Sequence, residues 1–597
     1  MHSKLLTKCT PIFFFLFLAN LGFSASSLQE AHQDDNVEWR EWTPGIAEHA
    51  KSEGKPIFFF VSQSGESLGR AMLNETFKNN TIAHLLNEAF VPVLVDANES
   101  PELAAFIGKL AVDHFEAAEL PHCLWTDEEL APLNGGGYFP PTDDWGGQGF
   151  LTVARNVSEQ WNSAPDDYRS MAREKLAEST KTESYASKDR TAKLQILSTS
   201  TLPEEQTSPQ LRPLYFLNLA KSSKILPVPQ AQKSLKEFES GLEKIVISAG
   251  FDSLEGGFFR GANDESWRLP FFQKATRDQA LMLSALAKRI SDDPKQGYID
   301  LIRLTVGFIE SALAKPNGLK VHFLDGFSEN DDPDGAEGLH YVVVKSELEK
   351  LSGKSIKTWN LSQNGNLDPE IDFLGFYVES NIPFIESYDI LTAAYDSLRA
   401  ELASIRSSKS PLLSEPIGYT KDNALLIKAL AQSAVATGLD QYMDLAQSIE
   451  TALLKENFEL ESHTLYQSDS KTKTASSLDY ALMIAAELEL FTQTNDITYL
   501  NKAESLQNAW NNDSRFNPSD PTRLESGVEN LDFRSVRDRS YPSVVSTFLE
   551  NAQTFSENGS ECISSEIVEN VLTNLPADLE TRPELYQSLI LTLQNGD

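Results

Sequence analysis

The chain has 597 residues, 41% hydrophobic and 23% charged, values of a folded multidomain protein rather than a long disordered one. It carries 51 Lys and Arg against 87 Asp and Glu, a formal charge of −36. Such an acidic surface repels phosphate backbones and anionic lipid, so nucleic acid is excluded as a natural partner.

The N-terminus has the pattern of an export signal. Lys4 and Lys8 form a basic start, and Pro11 to Ala19, PIFFFLFLA, is an apolar core too short for a permanent span. Gly22, Ser24 and Ala25 offer a cleavage point, so a signal peptide over 1–25 and export to a periplasm or the extracellular space are expected. An uncleaved anchor is the alternative. No later segment approaches the ~20 apolar residues of a span, so no stable membrane span is expected after cleavage. Of the three cysteines, Cys9 would leave with the signal; Cys123 and Cys562 could pair in an oxidising compartment, and their separation neither supports nor excludes it. No Cys/His cluster has metal-site spacing, so neither a metal nor a cofactor is expected.

From about residue 36 strands alternate with helices. Pro56–Ser62 reads as a buried strand running into a helix over about Ser67–Phe77. A helix over Thr81–Ala89, a strand over Phe90–Asp96, an Ala-rich helix over Pro101–Phe115 and a strand over His122–Thr126 follow, then GGGYFPP (Gly135–Pro141) and a helix from near Gly149. This is an α/β domain, expected over 36–180. In a thioredoxin-like fold the first strand-to-helix junction carries Cys-x-x-Cys, because a helix start stabilises the reactive thiolate. Here those positions are Glu66 and Gly69, and Leu120-Pro121 falls where a cis-proline is expected.

Residues 181–206, rich in Ser, Thr, Lys and Glu, read as a linker. From 207 to 597 the pattern is helical, with about twelve amphipathic segments starting near Gln210, Gln230, Lys274, Gly297, Glu386, Lys421, Asp440, Ala475, Ile497, Tyr541, Ile563 and Arg582. Twelve helices in six hairpins would close into an (α/α)6 toroid; a solenoid of helical pairs is the alternative, disfavoured by the lack of a fixed-period repeat.

Several stretches together resemble the spermatogenesis-associated protein 20 family, also called YyaL-like. Lys55–Phe77 is similar to the family's Lys-Pro-Ile-Phe stretch and its Cys-His-Trp-Cys-His motif, Leu85–Leu103 to its Leu-Leu-Asn…Val-Asp stretch, and Gly135–Pro141 to Gly-Gly-Thr-Tyr-Phe-Pro-Pro. Gly256–Ala280, Thr420–Ala431 and Ser477–Leu490 resemble motifs of its helical part. The resemblance implies a thioredoxin-like domain followed by a six-hairpin, glycosidase- or epimerase-like toroid, and by fold analogy a sugar-handling cavity. The chain also departs from the family. Arg70 replaces the His after the second Cys, the His-Phe-Glu-Lys motif reads Phe271-Phe272-Gln273-Lys274, Asp422 stands for the Trp and Ala424 for the Gly of Trp-Asn-Gly, and Leu478 for one Asp of Asp-Asp-Tyr-Ala.

Without a thiol pair, disulfide exchange cannot start. Glu66 reads as a helix cap, and peptide binding beside Pro121 is what could survive. Sugar hydrolysis needs two carboxylates ~5–10 Å apart; Asp264 or Glu265 with Asp479 is the candidate catalytic pair, with Trp267, Gln273, Lys274, Asp278 and Tyr480 to bind substrate. Asp331, Asp332, Asp334 and Glu337 read as an acidic surface turn without full calcium-loop spacing. The expectation is an exported, redox-inactive two-domain protein that binds a glycan or an extended peptide. A carbohydrate-active enzyme is the rival; a thiol oxidoreductase contradicts positions 66 and 69.

Overall fold

The computed structural model describes residues 27–63, 66–117, 119–145, 147–185, 210–328, 336–372 and 375–595. The signal sequence, residues 186–206 of the linker, and Asp331, Asp332 and Asp334 lie outside these.

The first domain is a four-stranded sheet between helices. Its elements are α1 (Pro44–Glu53), β1 (Ile57–Ser62), α2 (Ser67–Ala71) with a wider turn over Met72–Thr76, α3 (Asn80–Ala89), β2 (Val91–Asp96), α4 (Pro101–Phe115), β3 (His122–Thr126), β4 (Pro132–Gly136), α5 (Phe150–Ser163) and α6 (Pro165–Ser179). The strand order is β2-β1-β3-β4; β1 runs parallel to β2 and antiparallel to β3. Every residue of β1 is buried because helices cover both faces, and alternate side chains feed two cores. Phe58 and Phe60 join Phe77, Trp125 and Phe150, while Ile57, Phe59 and Val61 join Val93, Ile107 and Leu110. The Phe58 and Trp125 rings lie 4.7 Å apart and those of Phe60 and Phe77 4.8 Å. Strand β4 and helix α6, which sequence periodicity did not separate, complete the domain.

The second domain contains α7 (Pro213–Ile225), α8 (Val228–Val246), α9 (Thr276–Asp292), α10 (Gln296–Ala312), α11 (Asp396–Arg406), α12 (Thr420–Thr437), α13 (Asp440–Asn457), α14 (Ser477–Thr494), α15 (Ile497–Asn511), α16 (Val544–Glu557), α17 (Ser565–Thr573) and α18 (Gln587–Asn595). Helices α7, α9, α12, α14, α16 and α18 pack side by side in that order, and α18 returns to α7. The ring is closed, which makes the domain an (α/α)6 toroid and removes the solenoid alternative. These inner helices are buried nearly all round, as α9, α12 and α14 show, because each meets two ring neighbours and an outer helix. Helices α8, α10, α13, α15 and α17 each follow an inner helix as its outer partner. The helix foreseen near Glu386 starts at Asp396, after two short 3₁₀ turns.

The supposed linker begins as part of this domain. Thr182–Glu183 pair with Leu575–Pro576, and the fully buried Tyr185 donates its amide to the Leu572 carbonyl and its hydroxyl to Glu580. No helix among the described residues is long and apolar enough to cross a membrane.

A hairpin of the toroid domain, β5 (Asp520–Val528) and β6 (Leu531–Arg534), docks on the first domain. Phe533 enters the core beneath β1, 5.3 Å from the Phe106 ring and 6.4 Å from Trp42. Beyond it, Arg537 pairs with Asp113 of α4 at 2.8 Å and with Asp578 at 2.6 Å, and Arg582 also reaches Asp113. Arg537 and Lys109, the latter 2.9 Å away, hold Asp113 well below the usual carboxylate range, against its burial. Replacing Asp113 by Ala leaves Arg537 with Asp578 alone and takes a partner from Arg582 and Lys109; we expect a loss of about 3 kcal/mol in urea unfolding of the full chain, and a loss below about 1 kcal/mol would show that the pair does not hold the domains.

Candidate functional site

The thioredoxin-like junction lies at the C-terminal end of β1. Glu66, in extended conformation, caps α2: one carboxylate oxygen accepts the Leu68 amide at 2.9 Å and the other the Gly69 amide at 2.5 Å. Burial raises this carboxyl, while the two amides, Arg260 and Arg70 oppose the rise. Gly69 is required by the same arrangement. A Cβ there would come 2.0 Å from Ser62 Oγ and 2.5 Å from Glu66 Oε2. A side chain at 69 therefore fits only if the Ser62 hydroxyl and the Glu66 carboxylate move aside. The Leu120-Pro121 bond is cis and Pro121 is buried. Cys123, opposite Phe60 in the sheet, is a free buried thiol raised by its burial, and Cys562 is a second free thiol in the other domain.

This junction faces the toroid. Arg70 lies 3.5 Å from Asp325 and over the Phe327 ring. Arg260 donates to Gln273 at 3.0 Å, and Gln273 donates to Asp325 at 3.3 Å. Glu337 accepts the Phe272 amide; burial pushes its carboxyl up to about 7, with Asp325 adding to the rise and Arg70 and Arg260 working against it. Asp96, at the end of β2, is likewise pushed up to about 7 by burial and by Glu99.

The toroid meets the first domain at the N-terminal ends of its inner helices. Lys421, in the first turn of α12, donates to the Asn98 carbonyl, and Gln467 donates to the Glu99 carbonyl at 3.0 Å. Glu102 accepts the amide and hydroxyl of Ser477, at the start of α14. A helix N-terminus presents free amides, so a carboxylate is a fitting plug. Just inside lies a polar cluster. Asp422 takes His322 Nδ1 at 2.5 Å on one oxygen and the Tyr541 hydroxyl at 2.5 Å on the other. Arg277, in the first turn of α9, lies 3.3 Å from Asp278 and 5.4 Å from the Tyr541 ring. Asp422 is fully buried; burial alone would raise its carboxyl, but His322, Lys421 and Tyr541 bring it below the ordinary value. Burial and the adjacent Asp422 raise the Tyr541 hydroxyl well above the ordinary range.

The residues singled out in the sequence divide around this seam. Glu66, Gly69, Gln273 and Asp278 belong to it or border it. Asp264 is engaged in its own turn, accepting the amides of Ser266, Arg268 and Leu269. Asp479 closes a capping box with Ser476 at the start of α14 and accepts the Lys421 amide. Burial pushes it up to about 6. Each carboxylate of the expected pair is thus bonded to backbone. Trp267 is buried at positive φ with its carbonyl bonded to Ala249. Tyr480 stacks on Trp510 in the core, centroids 5.8 Å apart. Lys274 bonds Asp252 at 2.7 Å and the Gly256 carbonyl, beneath Phe259, Phe308 and Tyr341. Arg406 binds the same Asp252, so Lys274 braces the loop before α9. His322 and Tyr541 lie in no quoted motif, and Arg277 lies within the Gly256–Ala280 stretch without standing out; Asp422 was marked only as a departure from Trp-Asn-Gly.

Residues 19–180 match the family model Thioredox_DsbH, described as a protein of unknown function, DUF255. The chain is 24% identical over 545 residues to spermatogenesis-associated protein 20 of Mus musculus, covering 80% of this chain and 67% of the relative. An uncharacterized protein of Caenorhabditis elegans is also 24% identical, over 83% of this chain and 75% of its own length. Among solved structures, a cellobiose 2-epimerase from Bacillus thermoamylovorans has a TM-score of 0.38 at 10% identity, covering 64% of this chain and 85% of the other. A GH76 α-mannanase from Bacteroides thetaiotaomicron has a TM-score of 0.36 at 9% identity, covering 68% and 93%. Likeness at that level carries no argument about chemistry; the closed ring of inner helices establishes the toroid by itself.

Two outcomes follow from the seam. Gly69→Cys in the presence of Glu66 overpacks the junction and costs about 1–3 kcal/mol in urea unfolding; a neutral result would mean the carboxylate is not seated as described. Glu337 holds its proton to higher pH in the folded chain than in the unfolded one, where it titrates near 4.5. Its contribution to stability therefore falls as pH rises from about 4.5 to about 7. The melting temperature of the parent should drop more across that window than that of Glu337→Gln, and equal drops would refute the assignment.

Proposed function

We propose that this chain, similar to spermatogenesis-associated protein 20 and built from a thioredoxin-like domain on an (α/α)6 toroid, is an exported, redox-inactive protein that binds a glycan or an extended peptide at the seam between its domains. One observation carries the reading: the junction that would hold a thiol pair holds the Glu66 carboxylate, which sits opposite Arg260 and beside Arg70 where the domains meet. Chemistry that needs sulfur is gone, while polar groups that suit recognition remain. Arg70, Arg260, Gln273, Arg277, His322 and Tyr541 are donors of several geometries around one seam, and Phe272 and Phe327 are apolar surface beside them. Such a mixture suits hydroxyl-rich or amide-bearing ligands. Export is supported by Lys4, Lys8 and the apolar Pro11–Ala19 segment.

A second reading, a carbohydrate-active enzyme of epimerase or glycosidase type, is favoured by the His322–Asp422 couple and not by Asp264 with Asp479, whose carboxylates are occupied by backbone amides.

The test uses the mature chain. Reduction of insulin disulfides should stay at the buffer rate; catalysed reduction would sink the redox-inactive reading. A glycan and peptide array should contain at least one binder, and at a hundred times its Kd that binder should stabilise the fold by about 2.7 kcal/mol. Binding should weaken at least about tenfold in Arg260→Ala. Full affinity in that variant would put the ligand elsewhere.

A further inference from the structure

We propose that the end of the toroid turned away from the seam carries a second binding site, a cleft that takes a small ligand through a dianionic phosphate group. The site is independent of the reading above, which concerns the other end of the ring.

The cleft is open to solvent and has a volume of about 620 Å³, the size of a small-molecule site. Two inner helices and one outer helix form it. The last turn of α7 supplies Ser223 and Lys224, the first half of α8 supplies Leu235 and Lys236, and the last turn of α9 supplies Arg289 and Asp292. Arg289 is roughly 18 Å along α9 from Arg277, at about 1.5 Å per residue, so cleft and seam are separate places. Leu235 is the one hydrocarbon side chain among the described residues that line the cleft, and none of them is aromatic. Such walls offer a sugar face or a nucleobase little to stack on and suit a charged group.

Arg289 is the buried anchor. It is 3% exposed, yet it makes one hydrogen bond among the described residues, a long one of 3.4 Å from Nη1 to Asp292, and its Nε has no partner. A guanidinium has five N–H donors, and burying one so little used is costly unless a ligand completes it. Asp292 is already shared out: Oδ1 lies 2.5 Å from Lys224 Nζ, and Oδ2 accepts the Ser223 hydroxyl at 3.1 Å besides Arg289. The other two carboxylates of the cleft, Glu239 and Asp293, share Lys295. Lys236 has no ion-pair partner among the described residues. Lys288, beside Arg289 in the chain, is pulled below its ordinary value by burial and by Lys224 and Lys221, with Asp292 and Glu489 working the other way. In a chain of 51 basic against 87 acidic residues, cations crowded enough to depress one another mark a place that holds an anion.

Helix ends account for part of this arrangement. The C-terminal turns of α7 and α9 favour a cation, which explains Lys224 and Arg289. They do not explain Lys236, in the interior of α8, or the unused donor of Arg289. The three cations come from three helices, so they reach an anion from different sides. A carboxylate is planar, and one guanidinium fork serves it. A phosphate monoester has three outer oxygens on a tetrahedron, one for each of Arg289, Lys224 and Lys236.

The experiment applies calorimetry and melting curves to the full chain at constant ionic strength, with inorganic phosphate, glycerol 3-phosphate, glycerol and acetate as probes. Both phosphates should bind and raise the melting temperature. Tighter binding of glycerol 3-phosphate identifies an ester as the occupant, and tighter binding of inorganic phosphate the free ion; either supports the site. Glycerol should not bind, and acetate should bind at least about tenfold more weakly than phosphate. Arg289→Gln should weaken phosphate binding at least about tenfold, while Asp292 keeps Lys224 and Ser223 as partners. Lys236→Glu, at an exposed position, keeps the test decisive should Arg289→Gln fail to fold, and its loss should also be at least about tenfold. No binding of either phosphate overturns the proposal. Acetate binding as tightly as phosphate overturns it as well, because the lysines then have no role. Full affinity in the folded variants overturns it too and places the anion elsewhere, with Arg70 and Arg260 at the seam next in line.

Discussion

The segment from Phe533 to Tyr541 sets how the two halves of the molecule meet. Its first residue is buried in the core of the thioredoxin-like domain, and its last is hydrogen-bonded to Asp422 at the axis of the toroid. Between them Arg537 joins Asp113, and Arg539 lies against His122, next to the cis-proline. Even the absence of a side chain contributes: a Cβ on Gly108 would collide with the Arg539 guanidinium at 2.3 Å. Burial and that guanidinium push His122 down to about 3, so a neutral ring meets the cation. Apolar burial supplies the adhesion and the charged pairs fix the registry, the usual division of labour where ion pairs are desolvated.

Given that registry, the thioredoxin-like junction and the mouth of the toroid become one polar seam. Both domains contribute polar groups to it. The first contributes Glu66 and Arg70, and the loop 96–102 covers the starts of two inner helices. The second contributes Arg260, Gln273, Asp325 and Glu337. The seam carries both signs, with Arg70 and Arg260 among its carboxyl groups.

Local patterns made much of the fold legible in the sequence. The run Pro56–Ser62 has one reading as a strand, and the period of the apolar residues from Gln210 onward gives helices whose observed starts mostly lie within a few residues of those foreseen. Closure of the ring was expected from the count of twelve helices and from the family resemblance; the contact that makes it, the return of Gln587–Asn595 to Pro213–Ile225, joins the two ends of the domain and has no local pattern. Glu66 as a cap could be read, since its chemistry is local. The candidate pair Asp264 and Asp479 could not be evaluated that way: whether a carboxylate is free for chemistry depends on which amides surround it, and both meet several. His322, Arg277 and Tyr541 were invisible for the complementary reason. They are scattered along the chain, and only the fold brings them to one carboxylate.

The fit between Glu66 and Gly69 also bears on any rebuilding of a thiol pair here. A cysteine at 69 needs the Ser62 hydroxyl and the Glu66 carboxylate to move aside, and a cysteine at 66 gives up the helix cap. Either change alone supplies a single sulfur at the junction with no mate, so a working pair takes both positions together.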